Sequence, residues 1–192
     1  QRASWTSPIM HLGIMREMNA VQLARTQADG AYRSLLEALD GVSEGQAWAV
    51  LPNLGPDYLH TDASIQGTTL HIATCKFIYG SCAFRNTEIR WRDLAARLDE
   101  FEPSWAAARA YLDEAHAYWM ASWEHLEDLE AEVPRFSGEL WPAWKIIHTV
   151  THHDGWHGGQ IAMLRYGVAE SNDPPPSSAD DIRKYCAELP SW

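Results

Sequence analysis

The sequence predicts an all-α fold, a four-helix bundle, on three observations. Apolar residues recur at threes and fours along four long stretches. Strand-like alternation bounded by turn residues is absent from the pattern. The strongest proline and glycine breaks fall between the four stretches.

The first helix is expected from Arg16 to Leu39, with Val21, Leu23, Ala24, Tyr32, Leu35 and Leu39 on its apolar side and Gly41 as the C-cap. Residues 51–60 read as a loop, because Pro52, Gly55 and Pro56 punctuate them. A second helix is expected to be capped by Thr61 or Asp62 and to run to Phe84. Its buried stripe would be Ile65, Leu70, Ile72, Cys75, Phe77, Ile78 and Tyr79. Residues 85–102 then form a long connection with two short helical turns. Pro103 opens a third helix over residues 104–133, with Trp105, Leu112, Ala115, Trp119, Trp123 and Leu126 in phase. Pro134 and Gly138 break the chain, and residues 141–168 form the fourth helix, ended by Gly167. Residues 169–178 are a proline-rich linker, followed by a short amphipathic piece stopped by Pro190. One domain is therefore expected over residues 1–170, with residues 171–192 packed on it or trailing from it.

Of the 192 residues, 46% are apolar and 21% charged, enough to bury a core without covalent staples. The net charge of −11 comes without any run of Lys or Arg, which argues against nucleic acid and against anionic lipid surfaces. No stretch has the length of a membrane span, and no signal peptide is evident at the start. The cysteines, Cys75, Cys82 and Cys186, lack CxxC spacing and read as buried or free thiols in a reducing compartment. A cytoplasmic protein is expected. Ten tryptophans suggest an aromatic-lined interior, with Tyr118, Trp119 and Trp123 read as core.

The stretch THHDGWHGGQI, residues 151–161, carries the chemistry. His153 and His157 are four apart, so on a helix they share one face and can reach a single ion at about 2.0–2.1 Å. A third ligand should come from another helix, and His71, set between Leu70 and Ile72, is the best placed. His148 and His152 form a rival pair, turned about 100° from the first. Gly155, Gly158 and Gly159 would together cost roughly 3 kcal/mol of helix propensity. That cost suits close helix contact or a metal tying the turns together, and it centres on His153 and His157. The HDGWH run also resembles the zinc-peptidase HExxH, with Asp154 in place of Glu, but its shorter side chain and the glycines argue against a peptidase. His11, His60, His116 and His125 read as surface or core hydrogen bonders. Asp154 and Glu88 are candidate bases, each more commonly solvated surface or a structural partner, and Asp154 could instead accept an imidazole N–H; Gln160 is read as structural or as orienting a ligand.

The run from His152 to Gly167 resembles the last-helix signature of the DinB/YfiT-like superfamily, with His153, His157, Gly159, Gln160 and Ile161 at its motif positions. Residues 64–80 resemble that family's second helix, whose leading histidine corresponds to His71. The resemblance covers Leu23 to Gly167 and departs from the common pattern at Gly158, where a basic residue is frequent. It implies an up-down-down-up bundle with a long crossover between helices two and three. It also implies a divalent metal, commonly zinc, nickel or iron, held by His71, His153 and His157. Relatives resemble low-molecular-weight-thiol transferases or isomerases, so a metal-dependent enzyme acting on a small molecule is expected. A metal-dependent hydrolase and a non-catalytic binding or stress-response protein are the alternatives. A homodimer is expected only by analogy with relatives.

Overall fold

The structure is a computed structural model that describes residues 19–50, 63–101, 103–167, 169–173 and 183. It is mostly helical. Four long helices, α1 (Ala20–Leu39), α3 (Ile65–Phe84), α5 (Trp105–Ser122) and α6 (Ala143–Gly167), carry the bulk of it. Two short helices, α2 (Glu44–Trp48) and α4 (Trp91–Asp99), and two short strands, β1 (Glu132–Pro134) and β2 (Leu140–Pro142), lie between them. Helix α4 occupies the connection in which short helical turns were expected.

Side-chain oxygens set the helix starts. Asn19 and Gln22 form a reciprocal capping box that begins α1 at Ala20, later than the expected Arg16. Ser64 caps α3 by accepting from the Gly67 N–H at 2.8 Å. The expected caps Thr61 and Asp62, and the loop over 51–60, lie outside the described residues. Gly41 adopts a φ of +69° just after α1, the left-handed position a helix stop favours.

The third helix ends at Ser122, not at Val133 as its phase suggested. Beyond Trp123, Glu124 and Asp128, and again Asp128 and Glu132, would stand one turn apart as like charges. They would also sit at the negative end of the helix dipole. Ser122 Oγ instead bonds back to the Tyr118 carbonyl at 2.7 Å. The chain turns into an antiparallel hairpin with Val133 opposite Trp141, closed at Gly138 with a φ of +87°. Three-residue strands are too short to leave an alternation in the sequence.

Helix α3 lies against both α5 and α6, and α1 packs on α6. Because α3 is buried all round, its apolar residues trace no single stripe. One core cluster joins α1, α3, α4 and α5 around Leu35, Phe77, Leu94 and Leu112. A second joins Trp119 and Trp123 to Ile146, Ile147 and Val150 of α6. Trp119 and Trp123 are thus core, as expected. The last described residues return to the bundle. Ser171 N–H donates to the Gly45 carbonyl at 2.8 Å, and Arg183 pairs with Asp99.

The glycines of α6 differ in their surroundings. A Cβ on Gly158 would lie 3.5 Å from Leu35 Cα, so that position does mark close contact with α1. Positions 155 and 159 face open space, so of the two readings of these glycines close helix contact applies at 158 and not at the other two. The tighter contact is at Gly80, where a Cβ would meet Ser122 Oγ at 2.7 Å and Tyr118 Cε1 at 3.1 Å. Gly80→Ala should therefore lower stability by about 1–3 kcal/mol in urea unfolding. Gly155→Ala should raise it by up to about 1 kcal/mol, since only helix propensity changes there. Equal effects of the two substitutions would contradict this packing.

Candidate metal centre

Two side-chain pairs face each other where α3 meets α6. His71 and Cys75 stand one turn apart on α3, and His153 and His157 one turn apart on α6. The Nε2 atoms of His71 and His157 each lie 3.0 Å from His153 Nε2. Cys75 Sγ lies 3.8 Å from His71 Nε2. The donor atoms of His71, Cys75 and His153 are all within 4.8 Å of one another, a group that could hold a metal ion.

The hydrogen bonding favours a cation at this point. Gln160 Oε1 accepts from His157 Nδ1–H at 2.7 Å, which fixes the tautomer and leaves a lone pair on His157 Nε2. A single proton on His153 Nε2 would have to be shared between two neighbours at 3.0 Å, whereas a cation accepts all three lone pairs at once. Bonds of about 2.0–2.1 Å at tetrahedral angles separate ligand nitrogens by about 3.3 Å, close to the observed spacing. His71, Cys75 and His153 therefore fit a divalent ion, with His157 Nε2 beside them at 3.0 Å from His153 Nε2. Burial pushes the His157 imidazole down to about 4, against an opposing pull from Gln160. Burial, then the neighbouring imidazoles His71 and His157, hold His153 well below the ordinary range. Both rings are neutral at neutral pH, the state that binds metal. Burial also pushes the Cys75 thiol up to about 12.

The cluster opens onto a cavity of about 460 Å³. Tyr79, Trp91, Phe136 and Trp156 line it, and Arg135 is the one Lys or Arg among its described lining residues. The Arg135 guanidinium is held 4.7 Å from the Phe136 ring centre and 4.6 Å from that of Trp141.

Behind the imidazoles runs a buried polar chain. Lys76 Nζ donates to Asp154 Oδ2 at 2.5 Å, and both side chains are 1% exposed. Lys76 Nζ also lies 3.4 Å from His116 Nδ1, and the His116 ring stacks on Tyr32 with centroids 3.6 Å apart. Tyr32 O–H donates to Asp113 at 2.5 Å. Asp154 is thus neither solvated nor a base beside the imidazoles, because it is committed to Lys76. Glu88 is exposed and accepts from Tyr118 O–H at 2.8 Å, so it is a surface partner.

The structure brings His71, His153 and His157 together as the sequence suggested. His148 and His152 are exposed, with rings 6.0 Å apart, so the rival register faces solvent. His125 is exposed, His116 is a half-buried hydrogen bonder, and His11 and His60 lie outside the described residues. Sequence reasoning placed Cys75 in the core stripe and passed over Lys76. The four-residue spacing from His71 was the one available signal for Cys75. Cys82 is a packing thiol, buried and donating to the Pro134 carbonyl at 3.3 Å. Among the described residues no helix is long and apolar enough to cross a membrane. Compared with known proteins, the chain matches no family model and no curated sequence.

Replacing Lys76 alone should be severe. Lys76→Met strands the Asp154 carboxylate and should cost about 3–5 kcal/mol in urea unfolding. The double variant Lys76→Met, Asp154→Leu should recover most of that loss. A mild effect of the single change would mean the pair is not buried in solution.

Burial first, then repulsion from Lys76, lowers His116 from 6.5 to about 4, against the pull of Asp29 and Asp113. The ring also faces Tyr32 of α1, and Asp154 lies behind Lys76. The unfolded chain binds the His116 proton near 6.5 and the folded chain only near 4. Stability contributed by neutral His116 is therefore full above about 6.5 and falls as pH drops towards 4. His116→Gln should show a shallower pH dependence of stability across that window, and an unchanged slope would refute the assignment.

Proposed function

We propose that the chain is a metal-dependent enzyme of the DinB/YfiT-like kind. In this reading a divalent ion held by His71, His153 and His157 readies a low-molecular-weight thiol for attack on a small, partly apolar electrophile. The observation that carries the reading is the meeting of three imidazole nitrogens on the wall of a cavity of about 460 Å³. Imidazole donors suit zinc, nickel or iron. Such an ion supplies positive charge that favours the ionised form of a bound thiol.

The chain's own residues supply the rest. Gln160 orients His157, and Trp91, Phe136 and Trp156 offer aromatic faces to an apolar body. Arg135 offers a charge-assisted partner to an anionic group of the thiol or the electrophile. The hydrolytic alternative has less support, since no carboxylate is among the described residues lining the cavity. The adjacent cavity also favours turnover over simple metal storage.

Helix contacts support the up-down-down-up order. Phe77 packs on Tyr111 while Arg85 reaches the Ala121 carbonyl, so α3 and α5 advance together. Gly158 faces Leu35 while Arg165 reaches the Ala38 carbonyl, so α1 and α6 do likewise. His71 meets His157 while Tyr79 and Thr149 share the cavity, so α3 and α6 run oppositely. The segment from Arg85 to Ser104 would be the crossover.

Protein purified without a His tag should carry stoichiometric metal by elemental analysis, and His153→Ala and His157→Ala should each lose it. A panel of thiols and electrophiles should reveal conjugation that chelation reduces to the uncatalysed rate. Metal-free parent protein, or conjugation indifferent to chelators, would sink the proposal.

A further inference from the structure

The described thiols differ in setting. Cys82 is packed in the core against the Pro134 carbonyl, while Cys75 lines the cavity beside an imidazole nitrogen. Cys75 follows His71 by one helical turn, as His157 follows His153. Two matched pairs thus face each other across the α3–α6 contact. Around a tetrahedral ion, a nitrogen at about 2.0–2.1 Å and a sulfur at about 2.3 Å stand about 3.6 Å apart. Cys75 Sγ and His71 Nε2 are 3.8 Å apart.

We infer that Cys75 is a protein donor to the ion alongside His71 and His153, the three whose donor atoms all lie within 4.8 Å of one another, and that His157 joins them by a shift of its side chain, an inference that rests on the metal-centre reading above. The resulting three-His, one-Cys set has two consequences. It favours thiophilic metals, zinc or cobalt over magnesium or manganese. With His157 also bound, four protein donors would complete a tetrahedron and leave no open position at rest. A small-molecule thiol then enters by exchange. Its sulfur would take the place of the Cys75 sulfur, its proton would pass to the departing Cys75 thiolate, and nothing would be oxidised or reduced.

The test is the absorption spectrum of full-length, untagged protein reconstituted with cobalt(II). The expected result is stoichiometric cobalt with a thiolate-to-cobalt charge-transfer band in the near ultraviolet. Cys75→Ser should keep bound cobalt and lose the band. The double variant Cys82→Ser, Cys186→Ser should retain it, which assigns the band to Cys75 even where Cys75→Ser folds poorly. Cobalt bound in the parent without that band, or a band that survives Cys75→Ser, overturns the Cys75 inference and leaves the three-His centre standing. Failure of the parent to bind cobalt overturns both.

Discussion

The ion pair between Lys76 and Asp154 is the constraint on which the site depends. Its 2.5 Å contact joins α3 to α6 in a region with essentially no solvent exposure. Lys76 follows Cys75 and Asp154 follows His153, so the pair sets the rotation of both helices where their donors emerge. A slip of one residue on either helix would turn its donors by about 100° and strand two charges. Buried ion pairs contribute little net stability against apolar replacements, and this one ties a single rotation of α3 to a single rotation of α6.

That pair is in turn braced by helices that contribute nothing to the imidazole cluster. His116 of α5 approaches Lys76 and stacks on Tyr32 of α1, whose hydroxyl is held by Asp113. A protonated His116 would set a second positive charge beside Lys76, so the neutral ring is what the packing tolerates. Close contact of α1 with α6 at Gly158 holds the opposite side of the same turn that carries His157. The donors therefore sit on the most constrained part of the bundle, which is what a preformed site requires.

Much of the fold was legible because amphipathic helices write their period into the chain. Helix α1 was readable from that period and from Gly41, and α6 from the breaks at Pro134, Gly138 and Gly167 that bound it. The end of α5 was not, since apolar phase continues through Leu126 while the acidic residues beyond Trp123 oppose it electrostatically. The hairpin was invisible for the same reason that any pair of three-residue strands is. At the site, the spacing of His153 and His157 exposed one wall, and His71 stood out as a polar residue in an apolar run. Cys75 did not stand out, because a cysteine in such a run is chemically indistinguishable from core until its neighbours are known. Lys76 was missed because lysine is almost never fully buried, and only its partner across the helix contact explains it.

The division of labour within the molecule follows from these differences. Every donor atom lies on a long helix, whereas much of the cavity's character comes from the connections. Trp91 belongs to α4, and Arg135 and Phe136 to the turn of the hairpin. Arg135 is fixed between two aromatic rings rather than by a deep ion pair, its contact with Glu139 lying at the surface. Connections tolerate sequence change that a register-locked helix pair does not. The candidate donors and the cavity wall are thereby carried by segments under different constraints. Changes at positions 91, 135 and 136 can reshape what the cavity accepts while the imidazoles keep their spacing. Changes at 76 or 154 cannot spare it, because that pair fixes the rotation of both helices that carry the imidazoles.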